Sequence, residues 1–376
     1  MKKTMMVISV LLVTLNLDAQ DRRARDYGIN IGVLSPGKWN AITDVSGVKV
    51  GHTTIIEGYN IRTGVSAIIP HNKNIYRFKT PAAIYIGNGY GKLTGISQVR
   101  ELGNIETPIV LTNTMSVPVA FDALISYTIN QEGNENVRSV NCVVGETNDG
   151  TLNDIRGRHI NVNHVLDAIK NANGGPVSEG NVGAGTGTVC FGFKGGIGTS
   201  SRVLPGSLGG YTVGVLVQTN FGGVLQIDGV PVGEELGQFS FSRDVLKNAD
   251  GSCMIVVATD APIDARNLER MAKRAIMGLA KTGGIASNGS GDYVIAFSVA
   301  KENLIDSGKR TKFVENIFLK NNEMSPIFMA TIEASEEAII NSLFAAETMI
   351  GTKGRTIVEL PVERVLGIMK KYGKIK

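Results

Sequence analysis

The segment with the clearest chemical potential lies where a polar loop meets a strongly apolar run. Gly251 and Ser252 stand at that junction, and residues 254–258 after it are typical of a buried strand. Cleavage of the peptide bond between Gly251 and Ser252 would give Ser252 a free α-amine beside its hydroxyl group. An unperturbed α-amine has a pKa of about 7.7–8.0, so a useful fraction is neutral at pH 7 and accepts a proton. Ser252 would then be a nucleophile that carries its own general base.

Other residues at this junction bear on that interpretation. Glycine before Ser252 gives little steric obstruction and tolerates a strained backbone. Gly-Ser dipeptides are also common in turns, so the dipeptide alone does not distinguish a cleavage site from a turn. Cys253 is a competing nucleophile only if it becomes N-terminal itself. Because neighbours in a strand point to opposite faces, Ser252 and Cys253 cannot both face one pocket, and we choose Ser252.

Alternative catalytic patterns have little support in the sequence. The glycine-rich segment 183–187 lacks the G-K-[ST] of a phosphate loop, and an apolar strand follows where a helix should begin. No G-x-S-x-G elbow occurs. The four histidines are scattered, and no Cys/His spacing is typical of zinc. We therefore expect no metal site and no cofactor.

The elements that must position Ser252 are mixed strands and helices. Most apolar runs are continuous, as in strands that are buried on both faces. Strands are predicted at residues 66–70, 82–86, 108–111, 141–144, 188–193, 211–217, 254–258 and 293–299. Helices are predicted at residues 119–129, 165–170, 265–281, 327–350 and 362–371. This alternation indicates α/β or α+β layers, and with no repeat or linker we expect one domain.

The N-terminus and the composition indicate where the chain works. Lys2 and Lys3 precede an apolar run over residues 5–17, which predicts a signal peptide at residues 1–19 and a secreted, periplasmic protein. The run is too short to span a membrane comfortably. A formal net charge of +4 with interleaved acids gives no indication of nucleic-acid binding. Three cysteines on a chain of 376 residues do not indicate a disulfide framework.

The chain resembles the DmpA/BapA family of L-aminopeptidase/D-esterases and β-peptidyl aminopeptidases, which cleave themselves at a Gly-Ser bond. The resemblance covers nearly the whole mature chain, and its segments follow in family order. They are AITDVSGVKVGHTTI (41–55), GNGYGKLTG (87–95), TPIVLTNTMSV (107–117), GETNDGTLND (145–154), GPVSEGNVGAGTGTVCFGFKGGIGTSSR (175–202), YTVGVLVQTNFG (211–222), GSCMIVVATDAP (251–262) and NGSGDYVIAFS (288–298).

The resemblance implies an α-β-β-α sandwich of the DmpA/ornithine-acetyltransferase type, with two sheets between helical layers. It implies a single catalytic domain, residues 20–376, that is cleaved into an α chain (20–251) and a β chain (252–376). Both chains would remain intertwined, and a homo-oligomer, a tetramer by resemblance, would form. The implied reaction is hydrolysis of the amide after a free N-terminal residue of short peptides, amides or esters, through an acyl-enzyme on Ser252.

The resemblance also implies roles for individual residues. Asn220 would donate its amide N–H to the oxyanion. Ser290 and Asp292 match a serine–acid pair near the nucleophile, in which Asp292 would orient Ser290 and stabilise the protonated amine of Ser252. β-Peptidyl relatives have a glutamate at the position of Asp292, so its partner stays open.

The same resemblance predicts how the substrate is held. Glu146 matches the acid that binds the free ammonium group, which distinguishes an N-terminus from an internal amide. Asn148 stands where some relatives carry an aromatic residue. Two alternatives remain: an acyltransferase of the ornithine-acetyltransferase type, whose self-cleavage precedes a threonine, and an uncleaved binding protein with the same fold.

Overall fold

The computed structural model describes residues 23–242, 251–309, 311–313 and 315–376. The predicted signal peptide and most of the polar loop before Gly251 lie outside the described residues. The strands are β1 Lys49–Glu57, β2 Ile61–Ile69, β3 Phe78–Gly89, β4 Asn104–Ile105, β5 Ile109–Asn113, β6 Val143–Thr147, β7 Val189–Cys190, β8 Phe193–Lys194, β9 Ile197–Val203, β10 Thr212–Asn220, β11 Ser252–Thr259, β12 Gly291–Ser298, β13 Ile305–Asp306, β14 Met349–Ile350 and β15 Thr356–Ile357. The helices are α1 Ile96–Leu102, α2 Val117–Ile129, α3 Val162–Lys170, α4 Val232–Leu236, α5 Ala265–Lys281, α6 Met324–Phe344 and α7 Val362–Lys371.

The larger of the two main sheets places the proposed nucleophile on an inner strand. Its order is β13-β3-β12-β11-β10-β9, with β4 paired to β3. β11 is parallel to β12 and antiparallel to β10, and β12 is antiparallel to β3. All residues of β10, β11 and β12 are buried, as expected for strands covered on both faces. Ser252 therefore begins a strand that neighbours hold on both sides.

The second main sheet has four strands in the order β1-β2-β5-β6. β5 and β6 are parallel, and the other neighbours are antiparallel. Glu146 lies near the carboxyl end of β6. Leu93, after β3 of the large sheet, forms an isolated bridge to Gly145 of β6. The ends of β3 and β6 consequently meet at one edge of the molecule.

Three buried clusters hold four layers together. One lies between the large sheet and α5 and α6, with Ile255, Val257 and Leu343 among its members. The second joins the two sheets face to face and includes Met254 and Val256. The third packs α2 and α3 on the outer face of the small sheet. This order of layers confirms the predicted α-β-β-α sandwich.

α5 forms where the sequence provides a cap and an apolar stripe. Asp264 caps α5, and its side chain accepts a hydrogen bond of 2.8 Å from the Asn267 backbone N–H. The side chains along the buried face of α5 pack on the large sheet and on α6. None of the helices within the described ranges is long and apolar enough to cross a membrane.

β9 was missed by the apolar-run criterion because its buried side chains are polar. Thr199, Ser200, Ser201 and Arg202 are all fully buried. The Arg202 guanidinium forms ion pairs with two carboxylates of α6, at 3.0 Å from Glu333 and 2.7 Å from Glu337. These partners satisfy a cation that could not otherwise be buried. β1 was also missed, since polar residues interrupt its apolar positions.

Two predicted elements differ from the structure. Residues 188–193 do not form one strand: Phe191 and Gly192 have positive φ angles of 52° and 81°, so the chain reverses between β7 and β8. The helix predicted at 327–350 ends at Phe344, and Ile350 belongs to β14. No glycine or proline marks this helix end in the sequence. The predictions of a strand at 188–193 and of Ile350 on a helical face were wrong.

Candidate active site

A cleft of about 630 Å³ opens at the edge where strands of both sheets begin or end. Ser252, at the start of β11, and Asn220, at the end of β10, line it from the large sheet. Glu146 lines it from β6 of the small sheet. Residues 90–92 and Phe221 complete this part of the wall. A nucleophile, an amide and a carboxylate thus share one cavity of the size of a small-ligand site.

Ser252 projects toward the face of β11 that packs between the sheets, with Met254 two residues on. Its hydroxyl donates a hydrogen bond of 2.6 Å to the Gly251 carbonyl oxygen. The Gly291 backbone N–H donates to Ser252 Oγ at 3.2 Å. Cys253 points to the opposite face and is buried in the helix-side core. The structure therefore puts Ser252, and not Cys253, on the cleft.

The peptide bond proposed for cleavage is packed tightly against the end of β10. A Cβ atom added at Gly251 would lie 2.7 Å from Phe221 Cα and 3.0 Å from the Asn220 carbonyl oxygen. The Gly251 carbonyl accepts a hydrogen bond of 3.2 Å from the Gly291 N–H. Glycine is needed here because the neighbours in closest approach are backbone atoms.

Asn220 is held in register with the proposed nucleophile. It pairs directly with Ser252 across the antiparallel β10–β11 ladder. Its side-chain Oδ1 accepts a hydrogen bond of 3.0 Å from the Val189 backbone N–H. With the carbonyl end of the amide so occupied, the Nδ2 group is the end that can donate into the cleft. This is the orientation that an oxyanion donor needs.

Ser290 and Asp292 flank Gly291, the residue that pairs with Ser252 on the parallel strand β12. Ser290 Oγ donates a hydrogen bond of 2.8 Å to Asp292 Oδ1. Burial raises the pKa of Asp292 to about 6, against the opposing effect of hydrogen bonds from Ser290 and the Cys253 backbone. Both side chains are buried, and neither lines the cleft or bonds to Ser252 within the described residues. The pair forms as expected and flanks the residue that pairs with Ser252.

Glu146 presents a carboxylate whose position is fixed from two sides. Its side chain lines the cleft although the residue is only 3% exposed. Oε1 accepts a hydrogen bond of 3.0 Å from the Lys92 backbone N–H, and Oε2 accepts from the Thr114 hydroxyl. The Tyr293 hydroxyl donates at 3.1 Å to the Gly91 carbonyl, next to Lys92. This arrangement fixes one carboxylate in the wall of the cleft.

Asn148 and Asp149 follow Glu146 but differ in exposure. Asn148 is exposed on the cleft, and its Oδ1 accepts a hydrogen bond of 2.9 Å from the Gly150 N–H. Asp149 is buried away from the cleft, where Asn153 Nδ2 donates to its Oδ1 at 3.0 Å. Burial raises the pKa of Asp149 to about 6 despite hydrogen bonds from Thr63, Asn153 and Asn113.

Three residues that support the site were not identified from the sequence: Lys92, Thr114 and Val189. Two of them act through backbone N–H groups, which no side-chain motif reveals. Thr114 contacts an acid 32 residues later in the chain. Only the fold brings these groups together.

No group of three or more His, Cys, Asp or Glu side chains within the described residues is arranged to hold a metal ion. Cys142, Cys190 and Cys253 are buried and free. Burial raises the pKa of the Cys253 thiol well above its ordinary value, and the nearby Asp292 and Cys190 add to this effect. A thiolate nucleophile is accordingly disfavoured at that position.

The chain is similar to known proteins over most of its length. A family model described as Peptidase family S58 matches residues 40–357. The β-peptidyl aminopeptidase BapA of Sphingosinicella microcystinivorans is 41% identical over 394 residues, covering 98% of this chain and 97% of that protein. The solved structure of the PH0078 protein from Pyrococcus horikoshii OT3 has a TM-score of 0.86 at 48% identity, covering 93% of this chain and 99% of that chain.

A second solved structure that the chain resembles is that of an aminopeptidase. The L-aminopeptidase D-Ala-esterase/amidase of Ochrobactrum anthropi has a TM-score of 0.86 at 36% identity, covering 94% of this chain and 100% of that chain. It is described as a prototype for the serine aminopeptidases and as a variant of the Ntn hydrolase fold.

The four-layer fold and a serine that begins an inner strand define a class of enzyme, the serine aminopeptidases with the N-terminal-nucleophile hydrolase fold. The chain belongs to peptidase family S58. It is an aminopeptidase, which favours the predicted hydrolase over the acyltransferase and binding-protein alternatives.

Proposed function

We propose that the chain cleaves itself between Gly251 and Ser252, and that Ser252 then hydrolyses the amide after a free N-terminal residue. One observation carries the proposal: Ser252 Oγ and the Glu146 carboxylate line the same cleft from opposite sheets. One group can attack a carbonyl while the other binds the substrate's ammonium group. Short peptides, amides and esters are the proposed substrates.

The proposed self-cleavage uses the short distance between the Ser252 hydroxyl and the Gly251 carbonyl group. Ser252 Oγ lies beside the Gly251 carbonyl group, to which the Gly291 N–H also donates. Attack of Oγ on the Gly251 carbonyl carbon converts the amide to an ester and frees the Ser252 α-amine. Water then hydrolyses this ester, which leaves the α chain with a C-terminal Gly251 and the β chain with an N-terminal Ser252.

Turnover uses the same hydroxyl with its newly freed amine. The α-amine accepts the proton of Ser252 Oγ as Oγ attacks the substrate carbonyl, and it returns the proton to the leaving amine. Asn220 Nδ2 donates to the oxyanion of the tetrahedral intermediate. Water attacks the acyl-enzyme by the same route and releases the N-terminal residue. Ser290 and Asp292 are proposed to stabilise the protonated amine once the chain has opened.

The relative BapA is named a β-peptidyl aminopeptidase, and the Ochrobactrum anthropi protein is named an L-aminopeptidase and D-Ala-esterase/amidase. We extend the shared requirement, a free amine near the scissile carbonyl, to this chain. An assay with matched alanyl and β-alanyl anilides would establish which spacing Glu146 accepts.

The decisive experiment replaces the nucleophile. Wild type is expected to yield two fragments, residues 20–251 and 252–376, and to hydrolyse an aminoacyl anilide. Ser252→Ala is expected to remain one chain without activity, as shown by intact mass and a denaturing gel. Cys253→Ala is the matched control, since its side chain faces the core, and it should cleave and turn over. Cleavage at this bond by Ser252→Ala would refute the mechanism.

We also propose export and assembly. Lys2, Lys3 and the apolar run at 5–17 support removal of residues 1–19 and a periplasmic mature protein that begins near Gln20. N-terminal sequencing of protein from its natural host tests this, and Met1 at the start would contradict it. The family resemblance supports a homo-oligomer, a tetramer, which native mass spectrometry tests. No nucleic-acid or membrane partner is proposed for the mature chain.

A further inference from the structure

Lys194, the last residue of β8, is a fully buried cation without a carboxylate partner within the described residues. Its Nζ donates hydrogen bonds to two backbone carbonyls, at 3.0 Å to Gly185 and 2.7 Å to Gly195. Burial lowers the pKa of Lys194 to about 7. Arg202, the other fully buried cation within the described residues, has two carboxylate partners. Burying an unpaired cation is costly, so its location calls for a reason.

Val189 connects Lys194 to Asn220, the proposed oxyanion donor. Lys194 pairs with Val189 in the β7–β8 hairpin. The Val189 N–H is the group that holds Asn220 Oδ1, at 3.0 Å. Thr188 Oγ1 donates at 3.0 Å to the same Gly185 carbonyl that Lys194 contacts. The Gly195 N–H donates at 3.2 Å to the Thr188 carbonyl.

These contacts form a closed cradle, which we define as Gly185, Thr188, Val189, Lys194 and Gly195. Lys194 Nζ joins the turn before the hairpin to the turn after it. Both the ammonium and the neutral amine can donate two hydrogen bonds, so the cradle does not depend on which form is present. Without Nζ, two buried carbonyls would lose a donor, and the hairpin would lose its link to residue 185 on that side.

We propose that Lys194 is a positioning residue for the oxyanion hole: its Nζ fixes the β7–β8 hairpin so that the Val189 N–H orients the Asn220 amide toward the cleft. This inference rests on the proposed role of Asn220. Lys194 does not touch the substrate, so its loss acts on kcat through Asn220. An amide that is free to turn donates to the oxyanion for only part of the time, whereas ground-state binding by Glu146 is unaffected.

A double-mutant cycle tests the proposal, with Lys194→Met, Asn220→Ala and the double variant. Only fully cleaved protein is assayed, on an aminoacyl anilide. Asn220→Ala is expected to lower kcat by roughly 10²–10³. Lys194→Met is expected to lower kcat by about 10-fold or more with little change in KM, because the lost interaction belongs to the transition state. In the Asn220→Ala background the same substitution should have no further effect on kcat.

Two further variants keep the test decisive. Thr188→Val removes the Thr188 hydroxyl, which donates to the same Gly185 carbonyl as Lys194. If Lys194→Met does not fold, Thr188→Val takes its place in the cycle. Leu124→Ala is the control for general destabilisation, since Leu124 lies on the buried face of α2, on the outer side of the small sheet, and its kcat should stay at the wild-type value.

The possible outcomes distinguish a failure of the Asn220 assignment from a failure of the Lys194 proposal. Unchanged kcat in Asn220→Ala would overturn the oxyanion assignment and the inference with it. Asn220→Ala could lower kcat while Lys194→Met lowers kcat equally in wild type and in the Asn220→Ala variant. That result would overturn the Lys194 inference alone. Unchanged kcat in folded Lys194→Met would do the same.

Discussion

Glu146 and Asp149 are acids three residues apart with opposite surroundings. Glu146 reaches the cleft, where one backbone N–H and one hydroxyl hold its two oxygens. Asp149 is turned into the protein, and burial raises its pKa to about 6. Of the two, only Glu146 lines the cleft, because Asp149 is buried and bonded to Asn153. The two side chains therefore provide a matched pair for testing how the free N-terminus is selected.

Glu146→Gln is expected to abolish most of the preference for a free amine. N-acetylation removes the substrate's charge, and a hydrogen bond to a charged group contributes about 1.5–3 kcal/mol, so wild type should cleave the acetylated substrate roughly 10–100-fold less well. In Glu146→Gln the two substrates should approach each other, mainly because the free one is cleaved more slowly. The measurement is kcat/KM for an aminoacyl anilide and its N-acetyl form.

Asp149→Asn is the control for this measurement. It changes an acid of the same segment that does not line the cleft, so the preference for the free amine should remain. A Glu146→Gln enzyme with the full wild-type preference would show that the ammonium group is bound elsewhere.

At the level of elements, the junction of β10 and β11 holds the peptide bond that is proposed for cleavage. The two strands pair up to Asn220 and Ser252, and Gly251 immediately precedes the last pair. Its position against Phe221 Cα and the Asn220 carbonyl leaves no room for a side chain. The backbone at this point is therefore held against the end of β10.

Gly251→Ala is expected to slow self-cleavage by at least about 10-fold. The added Cβ must displace backbone of β10, which shifts the Gly251 carbonyl relative to Ser252 Oγ, and small displacements of reacting groups cost about 10²-fold in rate. The measurement is the appearance of the two fragments with time on a denaturing gel.

Gly222→Ala provides the control on the same cleft. Its added Cβ would meet Ser240 Oγ, a side-chain atom that can rotate away, so cleavage should proceed at the wild-type rate. Protein of Gly251→Ala that does cleave should be as active as wild type, because residue 251 is then a chain end. Equal cleavage rates for Gly251→Ala and wild type would exclude this steric argument.

The elements differ in how far the sequence reveals them. α5 and α7 begin and end as predicted, because periodic apolar positions define a helix on a surface. β9 was missed, since Arg202 and its buried neighbours are satisfied by ion pairs that only the tertiary fold supplies. The β7–β8 reversal at Gly192 was missed because an apolar run hid the turn.

The site, like the elements, could be predicted only in part from the sequence. The family resemblance predicted Ser252, Asn220 and Glu146 as site residues, and the structure brings them to one cleft. It did not predict that Asp292 and Ser290 would lie outside that cleft. Supports such as the Val189 N–H are backbone groups, so no pattern of side chains reveals them. The roles of all these residues remain predictions.

For the whole molecule, cleavage at residue 251 would divide the large sheet between the two chains and leave the small sheet, with α2 and α3, in the α chain. The α chain supplies β10 and β3, which enclose β11 and β12 of the β chain in the large sheet. α5 and α6, which cover that sheet, also belong to the β chain. The Arg202 ion pairs with Glu333 and Glu337 join the two chains through the core.

The cleaved protein is therefore expected to behave as one particle that cannot separate without unfolding. Burial of β11 between β10 and β12 means that removing the β chain would expose the apolar interior of both sheets at once. Size-exclusion chromatography should show both fragments in one peak in buffer and two species only in urea.

The uncleaved Ser252→Ala chain is the control, because after urea is removed it refolds as one chain. The cleaved protein must bring two chains together, so its refolding yield should fall as the protein is diluted. Fragments that separate in buffer, or an equal yield at all dilutions, would contradict the interlocked arrangement.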